Sequence, residues 1–490
     1  MTLELTPSSA VAITVQPAEA SVPSDLKDLV PAGALPRPFL YESSNARAPC
    51  TYSELVHCLD GFAPSARGKR LAICLPNGAD VAMVLLEAVH ACSAVPLDPR
   101  GTIDEHRRTL AALPCDCLLV DSRQPDQHAA LAALGAELGV AVVPLLPNAQ
   151  QVAFAWTLPP SSESARPTPS PPSDVPAPPA LFLRTSGTTG RSKTVPRTTA
   201  ELCVGARAIA RSLALSPADC CLNFMPLHHI GGIVCNLLAP LCSGSAVVCV
   251  AQFAPDAVLA ALAAPAPAIT WVYAVPSHFQ AILAVARDAP RHQLRLVRSG
   301  AAALPVAVAA QLRATLKTCV MPTNSMTECM PVGSTPLGYA LEKPGSVGPS
   351  IGPELRVDAS TGEVRIRGPL VMRGYVPDAR APEAEFAPAI DLDGWLSTGD
   401  LGRLDDDGWL YLVGRSKEVI NRGGEIIAPL EVEDVALTHP AVAECVCFAM
   451  PHAALGEEVA LALVPAPRVP APSLSELRRH RAPSLAANKI

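Results

Sequence analysis

The sequence predicts an α/β protein with a large N-terminal domain of parallel and mixed sheets flanked by helices, followed by a small α+β domain. From Arg70 onward, short apolar runs alternate with amphipathic stretches such as Gly78–Ala91, the pattern of strand–helix–strand units on a parallel sheet. The chain has 490 residues, which is more than one hydrophobic core usually serves, so two or more domains are expected. After Gly414 the pattern restarts with a short helix over Glu431–Leu437 and a strand over Val442–Ala449.

Composition sets the predicted boundaries. Residues 1–37 are rich in Ala, Pro and Ser without clear periodicity, so we predict a disordered leader, with ordered structure beginning near Tyr52. The large domain is predicted over residues 38–413, and residues 414–490 form a hinge and part of the small domain. Residues 158–180 carry nine prolines, each of which lacks a backbone donor and fixes φ, so an exposed linker or insertion is expected there.

Four apolar runs before the linker are predicted strands, and the alternation is predicted to resume after it as far as about Leu412. These runs are Leu71–Leu75, Ala94–Leu97, Cys117–Val120 and Val140–Leu145.

Charge and hydropathy narrow the function classes. The chain has 38 Lys+Arg and 45 Asp+Glu, a net charge of −7, and no basic cluster, so nucleic acid is not an expected partner. The mean hydropathy of +0.27 comes largely from Ala and Val, and runs such as Ala246–Ala251 are too short to span a bilayer. The first cation is Lys27, so a secretory signal is not predicted. We expect a cytoplasmic enzyme without a membrane span; a peroxisomal address at the end of a longer chain stays open.

Sixteen cysteines are scattered along the chain. The closest pairs, Cys115/Cys117, Cys220/Cys221 and Cys445/Cys447, lack the C-x2-C spacing of zinc sites. Reduced and mostly buried thiols are therefore expected.

The strongest local signal is an apolar strand, Leu181–Leu183, that feeds a loop of glycines and hydroxyl residues with a basic end. This loop consists of Thr185, Ser186, Gly187, Thr188, Thr189, Gly190, Arg191, Ser192 and Lys193. Backbone N–H groups, hydroxyls and a cation suit phosphate oxygens, and glycine lets the backbone approach closely. The loop does not have the spacing of a Walker P-loop.

Six further motifs follow in order, and together the seven resemble the acyl-adenylate-forming superfamily over about residues 50–490. These motifs are Met225–Gly232, Arg298–Leu304, Ser325–Glu328, Gly362–Tyr375, Gly394–Asp400 and Gly414–Glu425. The family includes acyl-CoA synthetases, luciferases and nonribosomal adenylation domains. The resemblance implies ATP-dependent conversion of a carboxylic acid to acyl-AMP with pyrophosphate release, followed by acyl transfer to a thiol. It implies ATP, Mg²⁺ and coenzyme A, or carrier-protein phosphopantetheine, as cofactors.

The resemblance also assigns roles to the residues expected at the reacting groups. It places the loop Thr185–Gly190 with Lys193 on the β- and γ-phosphates, Thr327 on the α-phosphate, and His229 beside the carboxylate that is activated. Glu328 is implied as the Mg²⁺ ligand, a hard oxygen that suits a hard ion.

The nucleotide and thiol positions are implied in the same way. Gly300, Ala301 and Ala302 correspond to the edge of adenine, and Asp400 and Arg415 to the ribose hydroxyls, for which a carboxylate acceptor and a guanidinium donor are suited. Lys417 falls at the hinge. Gly423 and Gly424 fall where the thiol tunnel passes.

Three departures from the family pattern stand out. Asn324 occupies the place of a tyrosine that stacks on adenine, and because base stacking is worth about 1–3 kcal/mol, weaker nucleotide binding is expected. His228 replaces a more usual aromatic residue. The chain ends at Ile490, before the family's last motif and its lysine, so the small domain is expected to be incomplete and adenylation slow.

Several alternatives remain open. A loading domain of a polyketide or peptide megasynthase would pass the acyl group to a carrier protein, and a catalytically weak nucleotide-binding homologue would lack the reaction. The hinge and Arg298 look like those of oxalate-type acyl-CoA ligases, in which Arg298 could pair with a second carboxylate. Gly348–Gly352 satisfies the G-x-S-x-G pattern of hydrolases, but Pro349, Pro353 and the following Glu354–Val357 favour a loop entering a strand.

Overall fold

The computed structural model describes residues 25–44, 47–61, 68–146, 178–185, 192–286, 291–377, 390–466 and 468–481. The predicted linker lies outside this set apart from residues 178–180, and so does the part of the phosphate loop from Ser186 to Arg191.

Twenty-two strands are present in these described ranges. They are β1 Pro38–Glu42, β2 Cys50–Thr51, β3 Arg70–Cys74, β4 Ser93–Pro96, β5 Cys117–Asp121, β6 Ala141–Leu145, β7 Leu181–Arg184, β8 Thr194–Arg197, β9 Cys220–Asn223, β10 Ala246–Cys249, β11 Trp271–Ala274, β12 Leu296–Ser299, β13 Cys319–Met326, β14 Cys329–Ser334, β15 Glu354–Val357, β16 Glu363–Arg367, β17 Leu396–Leu404, β18 Leu410–Arg415, β19 Ile420–Arg422, β20 Glu425–Ile427, β21 Val442–His452 and β22 Gly456–Pro465.

Eleven α-helices lie in the same ranges, with two 3₁₀ turns at Leu26–Leu29 and Ala32–Ala34 and a π-helical segment at Gly231–Leu238. The α-helices are α1 Tyr52–Gly61, α2 Ala79–Ala91, α3 Ile103–Ala112, α4 Pro125–Leu138, α5 Thr199–Ser212, α6 Ala239–Ser243, α7 Pro255–Ala263, α8 Pro276–Val285, α9 Val306–Leu316, α10 Pro429–Ala436 and α11 Leu474–Arg481.

Local sequence explains where several helices start and stop. Thr102 with Glu105 and Thr198 with Glu201 form capping boxes at the starts of α3 and α5. Gly139 ends α4 with φ +69°, a left-handed conformation that glycine adopts without a steric penalty.

Two sheets of the large domain are mostly parallel. One has eight strands in the order β14-β13-β12-β11-β9-β10-β1-β2, and the other six in the order β6-β5-β3-β4-β7-β8. In both, the inner pairs are parallel, and antiparallel pairs occur at the edges. Strands β3, β5, β9, β11 and β12 are buried along their whole length, as expected for strands covered by helices on both faces. The predicted fold class is confirmed.

The later part of the large domain differs from the predicted alternation of strands and helices. Between α9 and the hinge, the described residues form the β13–β14 hairpin and an antiparallel sheet in the order β15-β16-β17-β18, with no helix between these strands. The prediction that the alternation continues to about Leu412 is therefore wrong. Its apolar positions belong to a separate core cluster that includes Leu355, Ile366 and Leu396.

The prediction of a disordered leader is wrong over residues 25–37, because ordered structure begins well before Tyr52. Leu26 and Leu29 are 0% and 2% exposed and join the main core cluster, and an Asp25 capping box starts their 3₁₀ turn. Strand β1 follows directly. The Ala- and Pro-rich composition concealed two leucines that are buried by helices of the following domain. Residues 1–24 lie outside the described ranges.

The small domain contains the predicted helix and strand as α10 and β21. Its sheet is antiparallel in the order β20-β19-β22-β21, and β21 and β22 form a long hairpin. All sixteen cysteines are free thiols, most of them buried. Among the described residues, no helix combines the length and apolar character needed to cross a bilayer.

Candidate active site

Two adjoining cavities lie where the sheets of the large domain meet the hinge. One is about 1000 Å³ and the other about 970 Å³, and they share Ala301, Ser325, Arg415 and Lys417 in their linings. The first is also lined by Thr185, Lys193, His229, Thr327 and Glu328. Residues from segments more than 200 positions apart therefore converge on one region.

Thr327 and Glu328 form the turn between β13 and β14. Arg197, which is 1% exposed, fixes this turn by donating from one guanidinium nitrogen to the Thr327 carbonyl oxygen (3.1 Å) and from another to the Leu370 carbonyl oxygen (2.7 Å). Glu328 is 7% exposed and accepts a hydrogen bond from the Tyr375 hydroxyl at 2.7 Å. The carboxylate is thus held at the cavity wall in a defined orientation.

Asp400 and Arg415 face each other across two strands. They are register partners of the antiparallel pair β17–β18, and Arg415 Nε lies 2.7 Å from Asp400 Oδ1. Asp400 is 7% exposed, and burial raises its pKa to about 6 although Arg415 opposes the shift. The structure therefore brings together the carboxylate and guanidinium assigned to the ribose.

The two ends of the phosphate loop that the structure describes lie beside the Thr327–Glu328 turn. The Thr185 N–H donates to the Lys193 carbonyl oxygen at 2.9 Å, so the loop leaves and returns at adjacent points of β7 and β8. The Lys193 ammonium lies 4.5 Å from the centroid of the Tyr375 ring. Ser186, Gly187, Thr188, Thr189 and Gly190 fall outside the described residues.

His228 and His229 precede the π-helical segment, a geometry that is often found at functional sites. Their ring centroids are 4.3 Å apart, and Asp98 Oδ2 lies 3.8 Å from His228 Nε2. Burial and the neighbouring His229 lower the pKa of His228 to about 4, and burial also lowers the pKa of His229. Both rings are therefore neutral near pH 7. His229 is open to the cavity and can hydrogen-bond a substrate carboxylate without pairing with it as a cation.

The residues assigned to adenine line the second cavity only in part. Ala301, Ala302 and Asn324 lie on its wall, and Ala301 has a left-handed φ of +66°. Gly300 is not part of either lining. A Cβ at Gly300 would lie 2.8 Å from the Thr323 methyl and 3.2 Å from the Tyr273 hydroxyl, so this position requires glycine for packing.

The hinge and thiol-tunnel residues are placed differently. Lys417 lies in the turn at Ser416–Glu418 and reaches both cavities. Gly423 and Gly424, with φ +63° and +94°, form the two-residue turn of the β19–β20 hairpin and line neither cavity. In this structure the turn itself explains both glycines.

Sequence reasoning did not assign a role to three residues at the site. Tyr375 is the last residue of the motif Gly362–Tyr375, so the sequence marked this residue. Its contact with Glu328 could not be inferred from the motif. Tyr273 and Asp98 carry no motif, and only the fold brings them to the first cavity.

The hydrolase alternative is not supported by the geometry. Ser350 is buried, and its hydroxyl donates to the backbone carbonyl of Pro353. The segment runs from a loop into β15, as the prolines predicted, and lacks the strand–turn–helix of a nucleophile elbow.

A magnesium ion fits the donor set at Glu328. One carboxylate oxygen is hydrogen-bonded, and no lysine or arginine in the described residues forms an ion pair with Glu328. Magnesium is commonly held by one or two carboxylates together with substrate phosphates, and such a carboxylate suits that arrangement.

The two mostly parallel sheets, the turn with Glu328 at the cavity wall and the buried Asp400 paired with Arg415 fit an adenylate-forming ligase. The family profile described as "AMP-binding enzyme" matches residues 51–376, and that of its C-terminal domain matches residues 431–489. The chain therefore belongs to the AMP-binding enzyme family. It is an ATP-dependent ligase that activates a carboxylic acid and transfers the acyl group to coenzyme A.

Two curated relatives illustrate the sequence similarity. A sulfoacetate–CoA ligase of Cupriavidus necator is 34% identical over 406 residues, covering 80% of this chain and 77% of the relative. An oxalate–CoA ligase of Arabidopsis thaliana is 33% identical over 420 residues, covering 81% and 79%.

A solved structure shows the same architecture. The o-succinylbenzoate coenzyme A synthetase of Bacillus subtilis, in complex with ATP and magnesium ion, is 26% identical with a TM-score of 0.74, covering 95% of this chain and 94% of that chain.

Proposed function

We propose that the two cavities hold Mg²⁺·ATP and a small carboxylic acid that carries a second anionic group, and that free coenzyme A accepts the acyl group. The observation that carries the proposal is the convergence of Lys193, His229, Glu328, Asp400 and Arg415 on adjoining cavities.

The roles follow from the chemistry of each side chain. Asp400 accepts from the ribose hydroxyls while Arg415 keeps it ionised and oriented at 2.7 Å. Lys193 and the phosphate loop stabilise the departing pyrophosphate. The Thr327 hydroxyl donates to the α-phosphate. Holding two anions together in this way lowers the barrier through positioning and preorganised charge.

Glu328 would hold the magnesium ion, which when bound neutralises phosphate charge. Neutral His229 would donate a hydrogen bond from its ring N–H to the substrate carboxylate, which keeps its charge and nucleophilicity. Ala301, Ala302 and Asn324 would contact the base on the far side of the ribose. Lys417 would join the site from the hinge, and Gly423 and Gly424 would let the thiol pass only in a different arrangement of the small domain.

The second anionic group is supported by an unusual arginine. Arg298 is 0% exposed, donates to the Thr323 hydroxyl at 2.8 Å, and has no ion-pair partner in the part of the chain that the structure describes. It is the register partner of Tyr273 on the adjacent parallel strand, and Tyr273 lines the first cavity. A buried cation without a protein anion creates a field that favours an anion in the neighbouring cavity. Both named relatives act on acids of this kind, oxalate and sulfoacetate.

The test is pyrophosphate release with ATP and Mg²⁺, measured for oxalate, malonate and sulfoacetate against acetate and propanoate, with mass spectrometry of the coenzyme A thioester. We expect the acids with two anionic groups to react with the higher kcat/KM. Equal or higher values for acetate and propanoate would contradict the substrate class, and pyrophosphate release without a coenzyme A thioester would contradict the acceptor.

A pair of arginine variants separates charge from packing. Arg298→Lys keeps the charge and Arg298→Met keeps much of the volume, so we expect the preference for acids with two anionic groups to survive in the first and to fall about tenfold or more in the second. Identical preferences in both variants would remove Arg298 from substrate selection.

A further inference from the structure

Tyr375 contacts both residues that are proposed to act on the phosphates, Glu328 through the metal ion and Lys193 directly. Its hydroxyl donates to Glu328 Oε1 at 2.7 Å, and its ring lies under the Lys193 ammonium at 4.5 Å. The backbone around it is fixed on the same two sides. The Met372 N–H donates to the Glu328 carbonyl oxygen at 2.8 Å, and the Val376 N–H donates to the Thr194 carbonyl oxygen at 3.0 Å.

These contacts place one rigid side chain between residues that are 135 positions apart in the sequence, Lys193 and Glu328. Hydrogen-bonded partners of a metal-ligating carboxylate orient it and commonly change metal affinity. A lysine side chain is flexible, and an aromatic ring face beneath its ammonium restricts the positions that the ammonium can take.

We propose that Tyr375 is a positioning residue that sets the Glu328 carboxylate for the metal ion and the Lys193 ammonium for the phosphates. This inference rests on the proposed role of Glu328 in holding magnesium. The hydroxyl engages Oε1, so that Oε2 would be the oxygen offered to the metal ion, and the ring limits where the ammonium can lie.

Tyr375→Phe removes the hydroxyl and keeps the ring with its packing. The probe is Mn²⁺, whose binding in the presence of ATP and without acid is followed by electron paramagnetic resonance. We expect the dissociation constant of Mn²⁺ to rise about 10- to 100-fold. The Mg²⁺ concentration for half-maximal pyrophosphate release should rise by the same factor, with a rate near that of the wild type at saturating Mg²⁺.

Tyr411→Phe is the matched control. Its hydroxyl also lies against a carboxylate, Asp405, but Tyr411 lines neither cavity. Metal binding in this variant should equal that of the wild type. The inference about the hydroxyl is overturned if both variants lose metal affinity equally, or if neither variant loses any.

Tyr375→Leu tests the ring. At saturating metal, we expect a higher KM for ATP in Tyr375→Leu than in Tyr375→Phe, because only the leucine variant removes the ring face beneath Lys193. Equal KM values overturn this part of the proposal.

Glu328→Gln distinguishes failure of the inference from failure of the proposed function. If Glu328→Gln leaves Mn²⁺ binding unchanged, the metal role of Glu328 is wrong and the inference falls with it. If Glu328→Gln weakens binding and Tyr375→Phe does not, only the inference is overturned. Adding Tyr375→Phe to Glu328→Gln should weaken metal binding no further, since the hydroxyl acts through that carboxylate.

Discussion

In the large domain, Glu328 and Asp400 are each 7% exposed, and each is bonded by a side chain from another strand or segment. In the hinge and the small domain, by contrast, Lys417 and the Gly423–Gly424 turn are exposed to solvent. The buried cluster of the small domain comprises, among its described residues, Ile420, Ile427, Val432 and Cys447. The contrast indicates that the residues proposed for the nucleotide are held by a large core, while those proposed for the hinge and the thiol lie beside a much smaller one.

The small domain also leaves apolar surface uncovered. Val446, Phe448 and Met450 alternate along one face of β21 and are 59%, 42% and 51% exposed. Val446 and Phe448 line the second cavity, so this face looks towards the large domain across the nucleotide region. Apolar side chains of the small domain therefore line the same cavity as Asn324 and Asp400 of the large domain.

The largest expected effect comes from the buried carboxylate of the large domain. Glu328→Gln should reduce pyrophosphate exchange by about 10²–10³-fold or more, because a neutral amide removes charge that is preorganised for the metal and phosphates. The melting temperature should change little. Exchange at the wild-type rate would mean that Glu328 has only a structural role. The contrast drawn between the large and the small domain would then lose its basis.

Matched core substitutions test whether the two domains are energetically separate. Ile366 and Ile420 are both 0% exposed, one in the large domain and one in the small. Substitution of either by alanine should cost about 2–5 kcal/mol of local stability, read by hydrogen exchange. ATP affinity should fall in Ile366→Ala, whose strand pairs with the strand of Asp400, and persist in Ile420→Ala. Equal losses of affinity would show that the small domain also builds the nucleotide site.

Asp400→Ala should weaken ATP binding by about 1.5–3 kcal/mol, the range for hydrogen bonds to a charged group. Calorimetry measures this directly, without turnover. An unaltered affinity would mean that the Asp400–Arg415 pair serves the sheet and not the ribose.

The raised pKa of Asp400 predicts a pH dependence. Its pKa of about 6 lies above the ordinary carboxyl value, so the proton is bound below pH 6 and the acceptor charge is lost there. KM for ATP should therefore rise as the pH falls through about 6. Asp400→Asn, which does not titrate, should have a higher KM without that inflection, and an inflection that persists would assign it to another group.

The smallest expected effect is a gain. Asn324 lines the second cavity and, by the resemblance to the family, takes the place of a stacking tyrosine, so Asn324→Tyr should tighten ATP binding by about 1–3 kcal/mol. Asn324→Leu adds bulk without a ring and should not. Equal tightening by both would point to apolar burial and not to stacking.

The motifs predicted Lys193, His229, Glu328, Asp400 and Arg415 as neighbours, and the structure brings these residues to adjoining cavities because strand ends and hairpin turns meet at one edge of their sheets. The pairing of Asp400 with Arg415 follows from the register of β17 and β18 once those strands exist. The contacts of Tyr375 could not be predicted, since they depend on the tertiary position of a segment that follows β16. The burial of Leu26 and Leu29 was missed for a related reason: two leucines in an Ala- and Pro-rich stretch carry no period, and only the helices they pack against show their role.

The Asp400–Arg415 pair has a mechanical consequence. Arg415 is the last residue of β18, and the chain passes to β19 through the short turn that contains Lys417. Strand β21 has 11 residues, a length of about 35 Å at about 3.3 Å per residue. On an arm of that length, a backbone rotation of about 10° at one end would shift the other end by about 6 Å. The Asp400–Arg415 salt bridge ties the end of β18 to β17, so a rotation of the small domain at the Ser416–Glu418 turn would leave this pair in place.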